Sequence, residues 1–216
     1  MFAAHLVALP PGPVQIAVTG FPSALFAVVG GMSVVLSTRR FTRDGRYRAA
    51  GLSVAFRGLF IAALGVVLLI APTIVLVILL YYGVTLMLVS LCVRLRPRAL
   101  FALATALAVV GPLATSMVRS ALPPAVETVS GLDVSSPAAF LRTLIFTGEY
   151  PVITWTVYLL VGMALCRILV ATEAPARRRS LALRAAAVAA VSLAAGVLVS
   201  VVATARNVLA LPGSVD

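Results

Sequence analysis

The sequence predicts an all-α, polytopic transmembrane helix bundle, and three observations carry that prediction. The 216 residues are 62% hydrophobic, with a mean hydropathy of +1.14, more apolar surface than a soluble domain of this size can hide. The apolar residues gather into separate stretches of about 20, the length a helix needs to cross a bilayer core. The charges are confined to short clusters between those stretches. A β-barrel would instead show segments of ~10 residues with alternating polarity, and none is visible. Helices fit because in hydrocarbon every backbone N–H and C=O must find a partner inside the protein.

The elements follow in order along one expected transmembrane domain, 1–216. Met1–Leu9 is apolar apart from His5 and runs into Pro10, Pro11 and Pro13. At 1.5 Å per residue it covers only ~14 Å of a ~30 Å core. Residues 1–10 therefore read as the outer half of a helix, with 12–20 as an outer loop. No basic region precedes them, which argues against a signal peptide. Spanning helices are expected over 21–37, 53–70, 72–93, 99–118, 150–171 and 181–203. The long segment 119–149 is punctuated by Pro123, Pro124, Gly131 and Pro137, with a short surface helix expected over 138–146.

The formal net charge of +11 suggests nucleic acid until the positions are read. Every basic residue is an arginine. Arg39, Arg40, Arg43, Arg46 and Arg48 lie between the first two spans, Arg94, Arg96 and Arg98 after the third, and Arg177, Arg178, Arg179 and Arg184 between the fifth and sixth. The alternate connections carry little charge. Ala71 joins spans two and three, and 119–149 sets Glu127, Asp133 and Glu149 against Arg119 and Arg142. This is the positive-inside pattern. It places the arginine loops in the cytoplasm of an inner (plasma) membrane protein, against anionic lipid heads, and the 119–149 loop outside. Partners expected are the lipid bilayer and no nucleic acid. Cys92 and Cys166 read as small core residues rather than a disulfide. One histidine, two cysteines and few carboxylates leave no metal site to build, and no phosphate loop or nucleophile elbow is present.

The segment Thr147–Arg167, TGEYPVITWTVYLLVGMALCR, resembles a helix of bacterial multi-pass membrane proteins related to heparan-α-glucosaminide N-acetyltransferase, a family described as membrane acyltransferases. Ser23–Ser37, Phe56–Ile70 and Ile78–Leu88 are similar to other helices of that family in the same order, and Met1–Leu6 to the end of its first. The resemblance covers Met1 to about Val170. On it, the chain is expected to be shortened at both ends relative to the family.

The resemblance implies an acetyl or acyl group moved from a cytoplasmic donor, acetyl-CoA or another acyl-CoA, to an extracytoplasmic sugar, lipid or amine. His5 is the one histidine, and an imidazole can serve as acyl carrier or base because it ionises near neutral pH. Glu149, where the outer loop enters a helix, can act as a base or bind a hydroxyl; it is equally a favourable charge at a helix N-terminus, with Pro151 in the first turn. Tyr150, Trp155 and Tyr158 can stack on substrate or anchor the outer interface. Arg57 is the charge inside a span, able to meet a CoA phosphate or to snorkel to the inner surface. Tyr81 and Tyr82 sit near mid-membrane, where their hydroxyls need partners. Arg142 and Arg119 can hold an anionic substrate or pair with Glu127 or Asp133. Gly30, Gly31, Gly58, Gly65, Gly83 and Gly162 read as helix-packing positions. The alternative function is a non-enzymatic membrane subunit, a half-transporter that forms a homodimer or joins a missing partner segment, or a degenerate remnant, because few polar residues lie at membrane depth.

Overall fold

The computed structural model describes residues 13–70, 78–121 and 132–172, with a few single positions beyond. His5, the half-helix over 1–10 and nearly all of the expected span 181–203 lie outside the described residues. In order come α1 (Pro13–Arg43), α2 (Tyr47–Ile70), α3 (Leu79–Ser90), α4 (Pro97–Ala121), α5 (Pro137–Arg142), a π-helical turn (Thr143–Thr147) and α6 (Val152–Ala171). The described residues contain no strand. Among the described residues, four helices are long and apolar enough to cross a membrane: Pro22–Arg43, Tyr47–Leu69, Pro97–Ala121 and Val152–Ala171. Leu79–Ser90 and Pro137–Thr147 are shorter apolar pieces.

Helix ends outrun the apolar windows that announce them. α1 starts at Pro13, so the outer loop expected over 12–20 is helical from Pro13 onward; a proline at the first helical position loses no hydrogen bond. α2 starts at Tyr47 rather than at 53. Apolarity marks where hydrocarbon begins, whereas a helix can continue into the headgroup layer with charged residues in its first turn.

Two compact units divide the chain, residues 1–25 with 169–216 and residues 26–168. The first holds, among the described residues, the opening of α1 and the end of α6. The second holds the rest of α1, all of α2 to α5 and most of α6.

Within the second unit, glycine lets backbones touch. A Cβ on Gly31 would collide with the Leu159 carbonyl of α6, and one on Gly162 with the Val28 carbonyl of α1. The two positions are reciprocal, so α1 and α6 meet at van der Waals contact of main chain with main chain. α2 turns the stripe Ala50, Val54, Gly58, Ala62 and Gly65 inward, spaced at the i, i+4 and i, i+3 steps of one helix face. A Cβ on Gly58 would stand 2.7 Å from the Gly83 carbonyl of α3, and one on Gly65 2.5 Å from the Leu80 nitrogen. Such small-residue contact replaces the hydrophobic drive that lipid cannot supply. Around it pack Ala27, Val34, Leu86, Val89, Leu100, Leu159, Leu160 and Met163. The opposite face of α2 presents Phe56 at 67% and Phe60 at 71% exposure, and α4 presents Met117 at 71%. An apolar surface that large belongs against lipid, not water.

Both ends of the second unit are built by caps. At one end α1 closes in a Schellman turn: the Arg46 N–H donates to the Phe41 carbonyl at 2.8 Å and the Gly45 N–H to the Thr42 carbonyl at 3.3 Å. Gly45 holds φ +70°, the left-handed conformation that position requires. At the other end the Ser136 side chain accepts the Ala139 N–H to start α5, with Pro137 behind it. The Pro151 carbonyl accepts both Thr154 and Trp155 N–H groups to start α6, so Pro151 precedes that helix instead of opening its first turn.

Candidate functional site

A line of polar and aromatic groups runs through the second unit, and most of the sequence-predicted site residues lie on it. It begins at Arg57, whose Nη1 donates to Ser37 Oγ at 3.4 Å. Since α2 starts at Tyr47, Arg57 stands ten residues in (57 − 47), about 15 Å along the axis. The turns before residue 53 carry Arg48 and lie outside the apolar window, so Arg57 is still four residues (57 − 53) into the apolar part of α2, and its side chain is exposed. Ser33, one turn from Ser37 on α1, donates to the Gly30 carbonyl at 2.7 Å and lies beside the Tyr82 phenol, with the Arg57 charge within electrostatic reach of that phenol. Gly30 makes room for it: a Cβ there would come 2.7 Å from Tyr82 Oη.

From Tyr82 the line continues as rings. Tyr82 meets Phe26 with centroids 5.1 Å apart and Trp155 at 6.3 Å. Trp155 meets Tyr150 edge-on at 5.6 Å, and Tyr150 meets Tyr81 at 5.9 Å. Edge-to-face pairs at these separations are favourable beyond their buried area. Trp155 and Tyr81 are buried, at 3% and 0% exposure. Trp155 is thus the hub of the ring cluster, while Phe26, Tyr82 and Tyr150 retain accessible surface. Tyr158 is half-buried in α6 and packs against the core. Glu149 closes the line at the mouth of α6, exposed and next in sequence to Tyr150. Burial, and after it the Glu149 charge, push the Tyr150 phenol above its usual range. It stays protonated at neutral pH and can donate a hydrogen bond. Cys92 and Cys166 are free thiols.

The segment from Leu132 to Glu149 is organised around Asp133. Arg142 Nη2 reaches Asp133 Oδ2 at 3.3 Å, with side chains only 14% and 4% exposed. Asp133 Oδ1 accepts the Ser135 N–H at 2.9 Å and its hydroxyl at 2.5 Å, and the Asp133 N–H donates to Thr143 Oγ1 at 3.0 Å. Of the two readings open for Arg142, substrate or Asp133, the geometry takes the second: the guanidinium ties 132–135 to the end of α5. α4 then holds the π-turn. Thr115 donates to the Phe146 carbonyl at 3.3 Å, and Arg119 to the Thr147 carbonyl at 3.3 Å. The π-turn itself closes through the Gly148 N–H on the Thr143 carbonyl at 2.7 Å. Such turns concentrate near functional sites, and this one delivers Glu149 and Tyr150.

At the other end Arg167, the last residue of the quoted α6 segment, donates to the Leu95 carbonyl and, at 2.5 Å, to the Val93 carbonyl. It thereby satisfies two carbonyls of the turn that connects α3 to α4. Sequence reasoning gave it no role, nor Ser33, Ser37 and Phe26. Ser33 and Ser37 at i, i+4 on an apolar helix were the signal that could have marked that face.

Among the described residues, four helices of spanning length and a large apolar surface define a helical membrane protein, and the polar and aromatic line runs along the second unit with Trp155 and Tyr81 buried and Arg57, Ser33, Ser37 and Glu149 exposed. The family described as heparan-alpha-glucosaminide N-acetyltransferase, catalytic, matches residues 8–204, and the chain belongs to that family. No curated protein and no solved structure gave a match.

Proposed function

We propose that this protein is a membrane acyltransferase that takes an acetyl or acyl group from acetyl-CoA or another acyl-CoA and delivers it across the bilayer to a sugar or lipid hydroxyl or amine. The observation that carries the reading is the ring contact of Tyr82, Trp155 and Tyr150, with Arg57 bonded to Ser37 towards one end and Glu149 next to Tyr150 at the other, in a chain of this family. A group crossing the membrane needs such a line, because ionisable and polar side chains are costly at that depth unless they serve a path.

In this reading the arginine loops face the cytoplasm of the inner membrane. Arg57 meets a donor phosphate, His5 takes the acyl group or a proton, and Glu149 serves as the acceptor's base. Tyr82 and Tyr150 hold the acceptor by ring face and hydroxyl. The test is transfer of labelled acetyl from acetyl-CoA by the purified chain in vesicles. His5→Ala should abolish the transfer while leaving the unfolding midpoint intact. Purified protein that neither binds an acyl-CoA nor transfers from it would falsify the proposal and leave the non-enzymatic subunit as the better account.

A further inference from the structure

Where the α1–α2 turn meets the segment after α3, a cavity of about 570 Å³ opens, lined by Gly45, Arg46, Tyr47, Arg48, Ala49 and Arg94. Three arginines line it from two parts of the chain, and among the described residues no carboxylate does. Asp44, the acidic residue of the α1–α2 turn, is exposed and outside the lining. Two of the three arginines are held by rings rather than by counter-ions. The Arg46 guanidinium sits 5.6 Å from the Phe41 ring centroid, and that of Arg94 5.9 Å from the Tyr47 centroid. Contacts of this kind fix a guanidinium while leaving its N–H edge for another partner. The cavity lies where the candidate spans Pro22–Arg43 and Tyr47–Leu69 end and begin, which is the depth of lipid headgroups when those helices span.

We propose that this cavity holds a phosphate group. Planar guanidiniums match phosphate oxygens with paired N–H donors, and like charges crowded without a counter-ion repel one another until an anion joins them. The phosphate comes from one of two sources, an anionic phospholipid headgroup or a soluble phosphorylated molecule such as coenzyme A. The inference does not rest on the acyltransferase reading, since the cavity and its charges are the same whatever the polar line does.

The test compares two triple variants of equal charge in the full chain: Arg46→Gln/Arg48→Gln/Arg94→Gln, which empties the cavity, and Arg43→Gln/Arg96→Gln/Arg98→Gln, which leaves it whole. In one arm the protein is released from nanodiscs of phosphatidylcholine with phosphatidylglycerol, and retained phosphatidylglycerol is counted by native mass spectrometry. In the other, coenzyme A is titrated onto protein in phosphatidylcholine nanodiscs. The cavity triple should lose at least about tenfold against its control in one arm or both, because each arginine near a phosphate contributes several-fold. Loss in the first arm assigns the phosphate to lipid, and loss in the second to the soluble ligand. Equal behaviour of the two triples in both arms overturns the proposal. Arg48→Gln alone, which disturbs no ring contact, keeps the test valid if the triple unfolds: it should still weaken binding several-fold, and binding equal to wild type would overturn the proposal.

Discussion

The two ends of the bundle use arginine in opposite ways. At the α5 end Arg142 is nearly buried and spent on Asp133, which in turn organises Ser135 and Thr143. At the α1–α2 end Arg46 and Arg94 lie exposed over Phe41 and Tyr47 and line an open cavity. One end consumes its charge to build a segment; the other keeps its charge for an anion. The lesson is that a net charge of +11 describes neither end, because what a guanidinium does depends on whether a carboxylate or a ring lies beside it.

The largest expected effect sets the scale for both ends. Gly162→Leu drives a side chain into the Val28 carbonyl, and overpacking against backbone should cost about 3 kcal/mol or more. Loss of the folded chain in detergent is the expected readout, and a wild-type unfolding midpoint would mean that α1 and α6 do not touch as described.

Next comes the consuming end. Arg142→Ala leaves Asp133 buried without its cation, at a cost of about 3–5 kcal/mol. The double variant Arg142→Leu/Asp133→Ala should recover much of that in thermal unfolding, because no charge is then stranded. If the single variant is as stable as wild type, the clasp is ornamental and the two ends do not differ in kind.

The smallest effect belongs to the other end. Arg48→Gln should leave the unfolding midpoint where it was, since surface changes away from structural contacts rarely register. A clear drop would show that this arginine, too, is consumed by the fold.

Much of this was legible in the sequence, for physical reasons that can be named. Glycines at Gly31, Gly58, Gly83 and Gly162 mark close helix approach because no other residue permits it. Tyr81, Tyr82, Tyr150 and Trp155 stood out as polar or amphipathic groups in apolar runs, and folding brings all four into one ring cluster. What was hidden depended on partners distant in sequence. Arg142 has acidic neighbours on both sides of the loop, and spacing cannot choose Asp133. Arg167 looks like a charge at a span's end until α3 is seen to stop beside it. Phe26 is one apolar residue among many on α1, and its ring contacts exist only once α3 and α6 are packed.

The most direct measurement is acetyl transfer in sealed vesicles by wild type, Arg57→Ala and Glu149→Gln, which alter the two ends of the polar line. The account predicts transfer by wild type. It predicts a fall of about 100-fold or more for Glu149→Gln, the size expected on losing a general base. For Arg57→Ala it predicts a raised KM for the acyl donor, with both variants as stable as wild type. Wild-type rates and KM in both variants would contradict it, because the line would then carry no part of the reaction.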